Sequence, residues 1–377
     1  MSKVRTSSMT RRTAMTAAAM ALTAGLGFGS VLAADMSEND KIIAAAGKTD
    51  DKSFCGTKPI VLGIHDGFGI NGWSKSSMAA VRSEAAKCPN VKQVVRIGRG
   101  DLQQSIADVN GLVAQGINAL VIIPDFGKSQ LPSLKNATKA GVKVVAWAAD
   151  PGGEAGKDYV AYVDDDVPAA GETLGAWAAK ALKGEGNVVY LGGPPGNPVS
   201  VQTLSGVQKA LSKFPKITML TGYKDWPITN WDPAQTQKTV TALLAKYPKI
   251  DGIIDDQDGF SGLGVIRAYE SANHPMPVFT LLEGNQLACD YARLKPTSPN
   301  FELGTMTART WLGRVAARKA IAAAEGLTDK EANIYALPIY EDTLGGKAPL
   351  CDTKQPPDAF NSAGFTPEEL EKFGKTE

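Results

Sequence analysis

The sequence predicts an α/β fold of two doubly wound, Rossmann-like lobes joined by a hinge. Short, almost wholly apolar runs alternate with amphipathic helical stretches, the pattern of parallel strands buried between two layers of helices. The alternation pauses at Asp150-Pro151-Gly152-Gly153 and then begins again without a long linker. A chain of 377 residues is long for one domain and sufficient for two.

The elements follow in order. Ile60-Val61-Leu62-Gly63-Ile64 reads as the first strand and Ser74 to Lys87 as a helix with Met78, Val81 and Ala85 on one face. Val91 to Ile97 is a second strand; Asp101 to Gln115 is a helix that Asp101 can cap. Ala119 to Ile123 is a strand ended by Pro124, Ser129 to Ala140 a helix stopped by Gly141, and Val142 to Trp147 a strand. In the second run, helices are expected near Ala169–Leu182, Val199–Lys213, Pro233–Lys246, Gly262–Ser271 and Ala308–Ala324. Its strands are Asn187–Leu191, Thr218–Gly222, Gly252–Asp255 and Val278–Leu282. Thr366-Pro367-Glu368-Glu369 begins a short helix in the Pro-rich tail.

Composition narrows the function. Hydrophobic residues make up 43% and charged residues 21%, so a packed core is expected. Lys+Arg 40 against Asp+Glu 39 leaves no general excess of bases for nucleic acid. With only His65 and His274, multi-histidine metal sites and most histidine-based catalysis are poorly supported. His65 is read as a satisfied polar group at a strand end. Asp255-Asp256-Gln257-Asp258 lacks the Gly register and later Glu of a calcium loop. Gly192-Gly193-Pro194-Pro195-Gly196 lacks the GK[ST] of a phosphate loop. No catalytic group, metal or cofactor is expected.

Residues 1–34 carry Lys3, Arg5, Arg11 and Arg12 without an acid, then a small apolar stretch, then Val31-Leu32-Ala33-Ala34. This is the order of a secretory leader cleaved near Ala33/Ala34, and it implies a periplasmic protein. Thr10-Arg11-Arg12-Thr13 leaves twin-arginine and general secretory export both open. No cysteine follows the apolar run, so no lipid anchor is expected. Cys55, Cys88, Cys289 and Cys351 suit an oxidising compartment and lack CxxC spacing. Cys55 precedes the first strand and Cys88 follows the first helix, ends that meet in a βα unit. Cys289 lies in the helix after Glu283, and Cys351 in a tail expected to return to the second lobe. The expected bridges are Cys55–Cys88 and Cys289–Cys351.

Ligands of such sheets sit outside the carboxyl ends of the strands. There the sequence places His65, Asp66, Phe68, Asn71 and Trp73; Asp125; Trp147 and Asp150; Asn197; Trp226 and Trp231; Asp255 to Asp258; and Glu283. Indole faces for CH surfaces, with amides and carboxylates for hydroxyl donors, suit a sugar or polyol.

At these residues the sequence resembles the ribose-binding-like, type I periplasmic solute-binding proteins of ABC importers. Leu62 to Trp73 resembles the family's first strand and its Asn-x-aromatic ligand loop. Gly141 to Trp147 with Asp150 is similar to its fourth strand and ligand acid, and Tyr162 to Asp166 to its crossing between lobes. Trp231-Asp232, Tyr247 to Ile254 and Gln257-Asp258-Gly259 resemble the second lobe's ligand positions. The resemblance implies lobes over 55–165 with about 308–335, and over 166–307 with about 336–377. It implies ligand contacts from Asn71, Trp73, Trp147, Asp150, Asn197, Trp231, Asp258 and Glu283, with Trp73 and Trp231 on either side of the solute. The implied partners are a small sugar or polyol and an importer's membrane permease, or a chemoreceptor; the protein is expected to be a monomer and not an enzyme. The sequence departs from the family where arginines are usual: Ala148 and Ala149 flank Asp150, and Val201 opens the helix after the Gly-rich loop. Either Arg99 or Arg309 balances the acids, or the solute itself is cationic.

Overall fold

The structure is a computed structural model that describes Lys41, residues 51–69 and residues 71–375; the expected leader lies outside the described residues. In the first lobe β1 (Ile60–Asp66), β2 (Val91–Ile97), β3 (Ala119–Ile123), β4 (Lys143–Trp147) and β5 (Ala161–Asp165) pair in parallel. A late strand, β11 (Ile334–Tyr335), completes the order β11-β5-β4-β3-β1-β2. Helices α1 (Gly72–Ala85), α2 (Leu102–Ala114) and α3 (Leu131–Lys139) connect these strands.

The second lobe repeats the scheme. Its strands β6 (Glu185–Leu191), β7 (Lys216–Met219), β8 (Gly252–Asp255), β9 (Val278–Leu282) and β10 (Leu303–Met306) are parallel, and β12 (Glu341–Asp342) adds antiparallel to β10. The order is β12-β10-β9-β8-β6-β7. Helices α4 (Val167–Ala181), α5 (Pro198–Leu211), α6 (Pro233–Lys246), α7 (Leu263–Ser271) and α8 (Asn285–Leu294) complete it. Helix α9 (Leu312–Glu325) returns to the first lobe, packing on α1, β3 and β4. The chain therefore passes between sheets after β5, between β10 and α9, and between β11 and β12.

Each sheet is apolar on both faces because helices cover both. Leu112, Leu120, Ile122, Leu134 and Val144 fill one side of the first lobe, and Ile253, Phe279, Leu281 and Phe301 one side of the second. The other sides form one continuous core that runs through Leu62, Trp147, Val163, Tyr190 and Met306 beside the hinge. Helices α4 and α5 approach backbone to backbone: a Cβ on Gly206 would lie 2.0 Å from the Pro168 carbonyl oxygen, and one on Gly171 2.2 Å from that of Thr203. Both disulfides are formed as expected, Cys55–Cys88 at a Cα separation of 5.3 Å and Cys289–Cys351 at 4.6 Å.

Three expectations change. Strand β7 covers Lys216–Met219, not Thr218–Gly222, because the chain turns after Met219 and Gly222 is left-handed (φ 73°). The last long helix begins at Leu312, not Ala308, because Arg309 takes a left-handed backbone (φ 53°) and turns its side chain into the hinge. The tail does not stay with the second lobe. After the Cys289–Cys351 bond it crosses back, and α10 (Pro367–Phe373) packs on α1 with Leu370 buried.

Candidate functional site: the cleft between the lobes

The carboxyl ends of both sheets face each other across a cleft with about 510 Å³ of space free of protein atoms, part of it open to solvent. The first lobe contributes Asp66, Phe68, Asn71, Trp73, Ser74, Asp125 and Ala148; the second contributes Val199, Trp231, Asp256, Gln257 and Asp258; and Arg309 enters from the hinge.

The aromatic walls are held firmly. Trp73 stacks on Trp147 at 5.7 Å and donates its Nε1–H to the Ala308 carbonyl oxygen at 2.7 Å. Trp231 donates its Nε1–H to Asp256 Oδ1 at 2.9 Å and meets Phe68 of the other lobe edge-on at 5.5 Å. Its ring lies over Gly193, where a Cβ would stand 2.3 Å from the indole, so the Gly-rich loop is a seat for this ring.

The polar groups divide into those already bonded and those not. Asp256 accepts from Trp231 and from the Tyr190 hydroxyl, and Asp258 accepts from Phe260 N, Ser261 N and Ser261 Oγ. Asp66 Oδ1 accepts from Phe68 N and Gly69 N, both at 2.8 Å, but its Oδ2 has no hydrogen bond, and neither has Asp125 Oδ2. Both atoms are buried and both residues line the cleft. Burial pushes the Asp125 carboxyl well above the ordinary range, and the charge of Asp66 pushes it further. Burial also raises Asp66, against the pull of Ser74, two backbone amides and His65. Arg309 is already engaged: its Nη1 donates to Asp164 and Asp165 in the hinge, while its buried Nε is unbonded.

Of the expected ligand residues, Asn71, Trp73, Trp231 and Asp258 line the cleft. Asn71 spends its Oδ1 capping α1, accepting from Ser74 N at 2.8 Å. Four do not line it. Trp147 is 1% exposed and lies behind Trp73 as core. Asp150 closes its own turn by accepting from Gly152 N. Asn197 caps α5 and donates to the Asp125 carbonyl oxygen at 3.0 Å, a bond between lobes. Glu283 is buried away from the cleft, accepting from Ala308 N and Ser362 N. Asp66, Phe68, Asp125, Asp256 and Gln257, which the sequence places at strand ends but not among the ligand contacts, also line the cleft. Each has the strand-end position that marks the site, but position alone does not say which carboxyl keeps a free oxygen. Arg309, not Arg99, is the basic residue of the cleft; Arg99 lines the adjoining recess. His65 is buried with Asp108 at 3.6 Å and neither ring nitrogen makes a hydrogen bond, so it is not the satisfied polar group expected.

A family model described as "Periplasmic binding protein domain" matches residues 66–328. The chain belongs to the periplasmic binding protein domain family. Among members of known name it is similar to the xylitol-binding protein of Mycolicibacterium smegmatis, 27% identical over 231 residues, covering 61% of this chain and 63% of that protein. It is also similar to the D-xylose-binding periplasmic protein of Escherichia coli, 26% identical over 213 residues, covering 56% and 62%. The chain thus spans less than two thirds of the length of these curated relatives. Among solved structures, an ABC transporter solute-binding protein from Mycobacterium smegmatis with bound glycerol superposes at TM-score 0.67 and 21% identity, over 78% of this chain and 98% of that one. The arabinose ABC transporter binding protein from Shewanella sp. ANA-3 superposes at 0.66 and 17%, over 76% and 93%. At these identities the superpositions establish the type I periplasmic binding protein fold of this family member.

Proposed function

We propose that this protein is an exported solute-binding protein whose cleft takes a small neutral sugar or polyol and presents it to the permease of an ABC importer. The observation that carries the reading is the pair of buried, unbonded carboxylate oxygens, Asp66 Oδ2 and Asp125 Oδ2, beside Trp73, Trp231 and Phe68. Vicinal hydroxyls fill such acceptors and CH faces stack on such rings. Relatives named for xylitol and D-xylose support this class of solute. The leader expected over residues 1–34 and the periplasmic binding protein family support export to the periplasm, and the task is capture and release, with no covalent step. Hinge closure follows from solute contacts made only when the lobes meet.

A thermal-shift panel of xylitol, D-xylose, D-ribose, L-arabinose and glycerol, with calorimetry on the best of them, tests the reading. A binder at 100-fold excess over Kd adds about 2.7 kcal/mol of stability, and Asp125→Asn weakens its affinity roughly tenfold or more, because an amide NH2 replaces a carboxyl oxygen that takes a solute hydroxyl. The reading is wrong if no sugar or polyol stabilises the protein, or if Asp125→Asn binds as wild type does.

One observation favours a second reading, a polyol bearing an amine. Four carboxyls line the cleft, and its one guanidinium is already shared by Asp164 and Asp165. An ammonium group would balance this excess and lie against the indoles. Comparing xylitol with its 1-amino-1-deoxy derivative separates the two: amine preference of tenfold or more selects the second, and equal or weaker binding of the amine selects the first.

A further inference from the structure

The segment Cys351–Lys375 follows the span matched to the family, and both lobes hold it. On the second lobe, Cys351 is bonded to Cys289 of α8. That helix starts after Gly284, which offers no side-chain cap, so its first amides need other acceptors. The segment supplies them: Asn285 N donates to the Ala359 carbonyl oxygen at 3.0 Å and Gln286 N to that of Pro357 at 3.1 Å. Glu283, at the end of β9, accepts from Ser362 N at 3.1 Å.

On the first lobe the same segment is equally engaged. Phe360 and Ala363 pack with Ala308 against Trp73, the cleft wall. The Ala363 carbonyl oxygen accepts from Arg314 Nη2 at 3.1 Å, and the Lys375 carbonyl oxygen from Arg82 Nη1 at 2.7 Å. Asp358 stands over Gly72 in the recess that adjoins the cleft and shares Phe68, Asn71 and Trp231 with it. The handover between lobes takes place within residues 357–363.

We infer that Cys351–Lys375 is a strap, a fourth link between the lobes that holds them closed over the solute, and that Phe360 and Ala363 are positioning residues for Trp73. The inference rests on the reading of the cleft as the solute site for its effect on binding, but not for its effect on lobe closure. Separating the lobes must either pull Ser362 and Ala359 from the second lobe or lift Phe360 from Trp73. Closure and the placing of the indole are therefore coupled through one short stretch of chain.

Three full-length variants test this: Cys289→Ser/Cys351→Ser, Phe360→Ala, and Cys55→Ser/Cys88→Ser, which removes a bridge confined to the first lobe. Small-angle scattering of solute-free protein reads closure. Stopped-flow tryptophan fluorescence with xylitol, D-xylose and D-ribose reads association and release. The expected result is a larger radius of gyration for the first two variants, with release roughly tenfold faster and association within about twofold. The Cys55→Ser/Cys88→Ser protein loses stability but changes neither reading. Equal radii and release rates in all the folded variants would overturn the inference. If none of the three solutes binds, the scattering comparison decides alone, and the failure then falls on the proposed ligand class. If a double-serine variant does not fold, Phe360→Ala decides by the same two readings.

Discussion

Trp231 shows how much local structure one cleft-lining side chain requires. Its backbone is left-handed at φ 53°, its ring rests on the bare Gly193 backbone, and its Nε1–H is fixed on Asp256. Because it is half-buried at the cleft edge, it contributes more to the cleft than to the core. Trp231→Ala is expected to weaken solute binding by roughly tenfold or more, since stacking contributes about 0.5–1.5 kcal/mol beyond area burial, while circular dichroism remains native. Unchanged affinity in calorimetry would contradict the placement. Glu283 is the opposite case, a strand-end acid that reads as a ligand and is a brace. Burial, then the facing charge of Glu341, pushes its carboxyl up to about 7, against hydrogen bonds from Ser362 and Ala308. The unfolded chain releases that proton near 4.5 and the fold retains it to about 7. Its contribution to stability is therefore fully present below about pH 4.5 and lost as pH rises through 7. The thermal midpoint of wild type should fall between pH 5 and 7.5 more steeply than that of Glu283→Gln; parallel profiles would show that Glu283 does not titrate in this range.

At the scale of elements, packing decides where a side chain is tolerated. Gly206→Ala drives a methyl group into the Pro168 carbonyl oxygen and must push α4 from α5, at a cost of about 1–3 kcal/mol. Gly111, in α2, has open space where a Cβ would stand, and Gly111→Ala should stabilise by about 0.5–1 kcal/mol. Urea midpoints should move in opposite directions; a shared direction would contradict the helix packing. The long elements were legible because their periodicity is strong: Val91–Ile97, Ala119–Ile123, Pro233–Lys246 and Val278–Leu282 stand as the sequence predicts. Of the short ones Gly252–Asp255 also stands, but the rest were less legible. β11 and β12 have two residues each, too few for any period, and β10 includes Gly304, required where the Trp177 ring presses on the strand. The alanines near 308 look helical, yet the segment before Leu312 is a hinge passage, because Arg309 is drawn inward to Asp164 and Asp165. Burial raises Asp164 to about 8 even so, with Arg309 opposing the shift.

For the whole molecule, the proposed function depends on two lobes meeting at their strand ends. The lobes touch at Phe68 and Trp231, at Asn197 and Asp125, and through the Cys351–Lys375 segment. The sequence located the cleft, since chain topology puts all strand ends on one side of each sheet. It could not tell which strand-end groups face inward. Trp147 and Trp73 have the same composition and neighbouring places, and only their stacking order makes one wall and the other core. Asp125 and Asp150 both follow first-lobe strands, and only the turn at Gly152 takes Asp150 away. In the proposed function Asp66 and Asp125 hold the solute between Trp73 and Trp231. A crystal structure of the complex with the tightest sugar or polyol of the panel tests it most directly. Solute hydroxyls are expected within about 3.0 Å of Asp66 Oδ2 and Asp125 Oδ2, with the carbon skeleton against both indoles. A solute bound in the recess beyond Phe68, or on an outer face with both oxygens still unbonded, would contradict it.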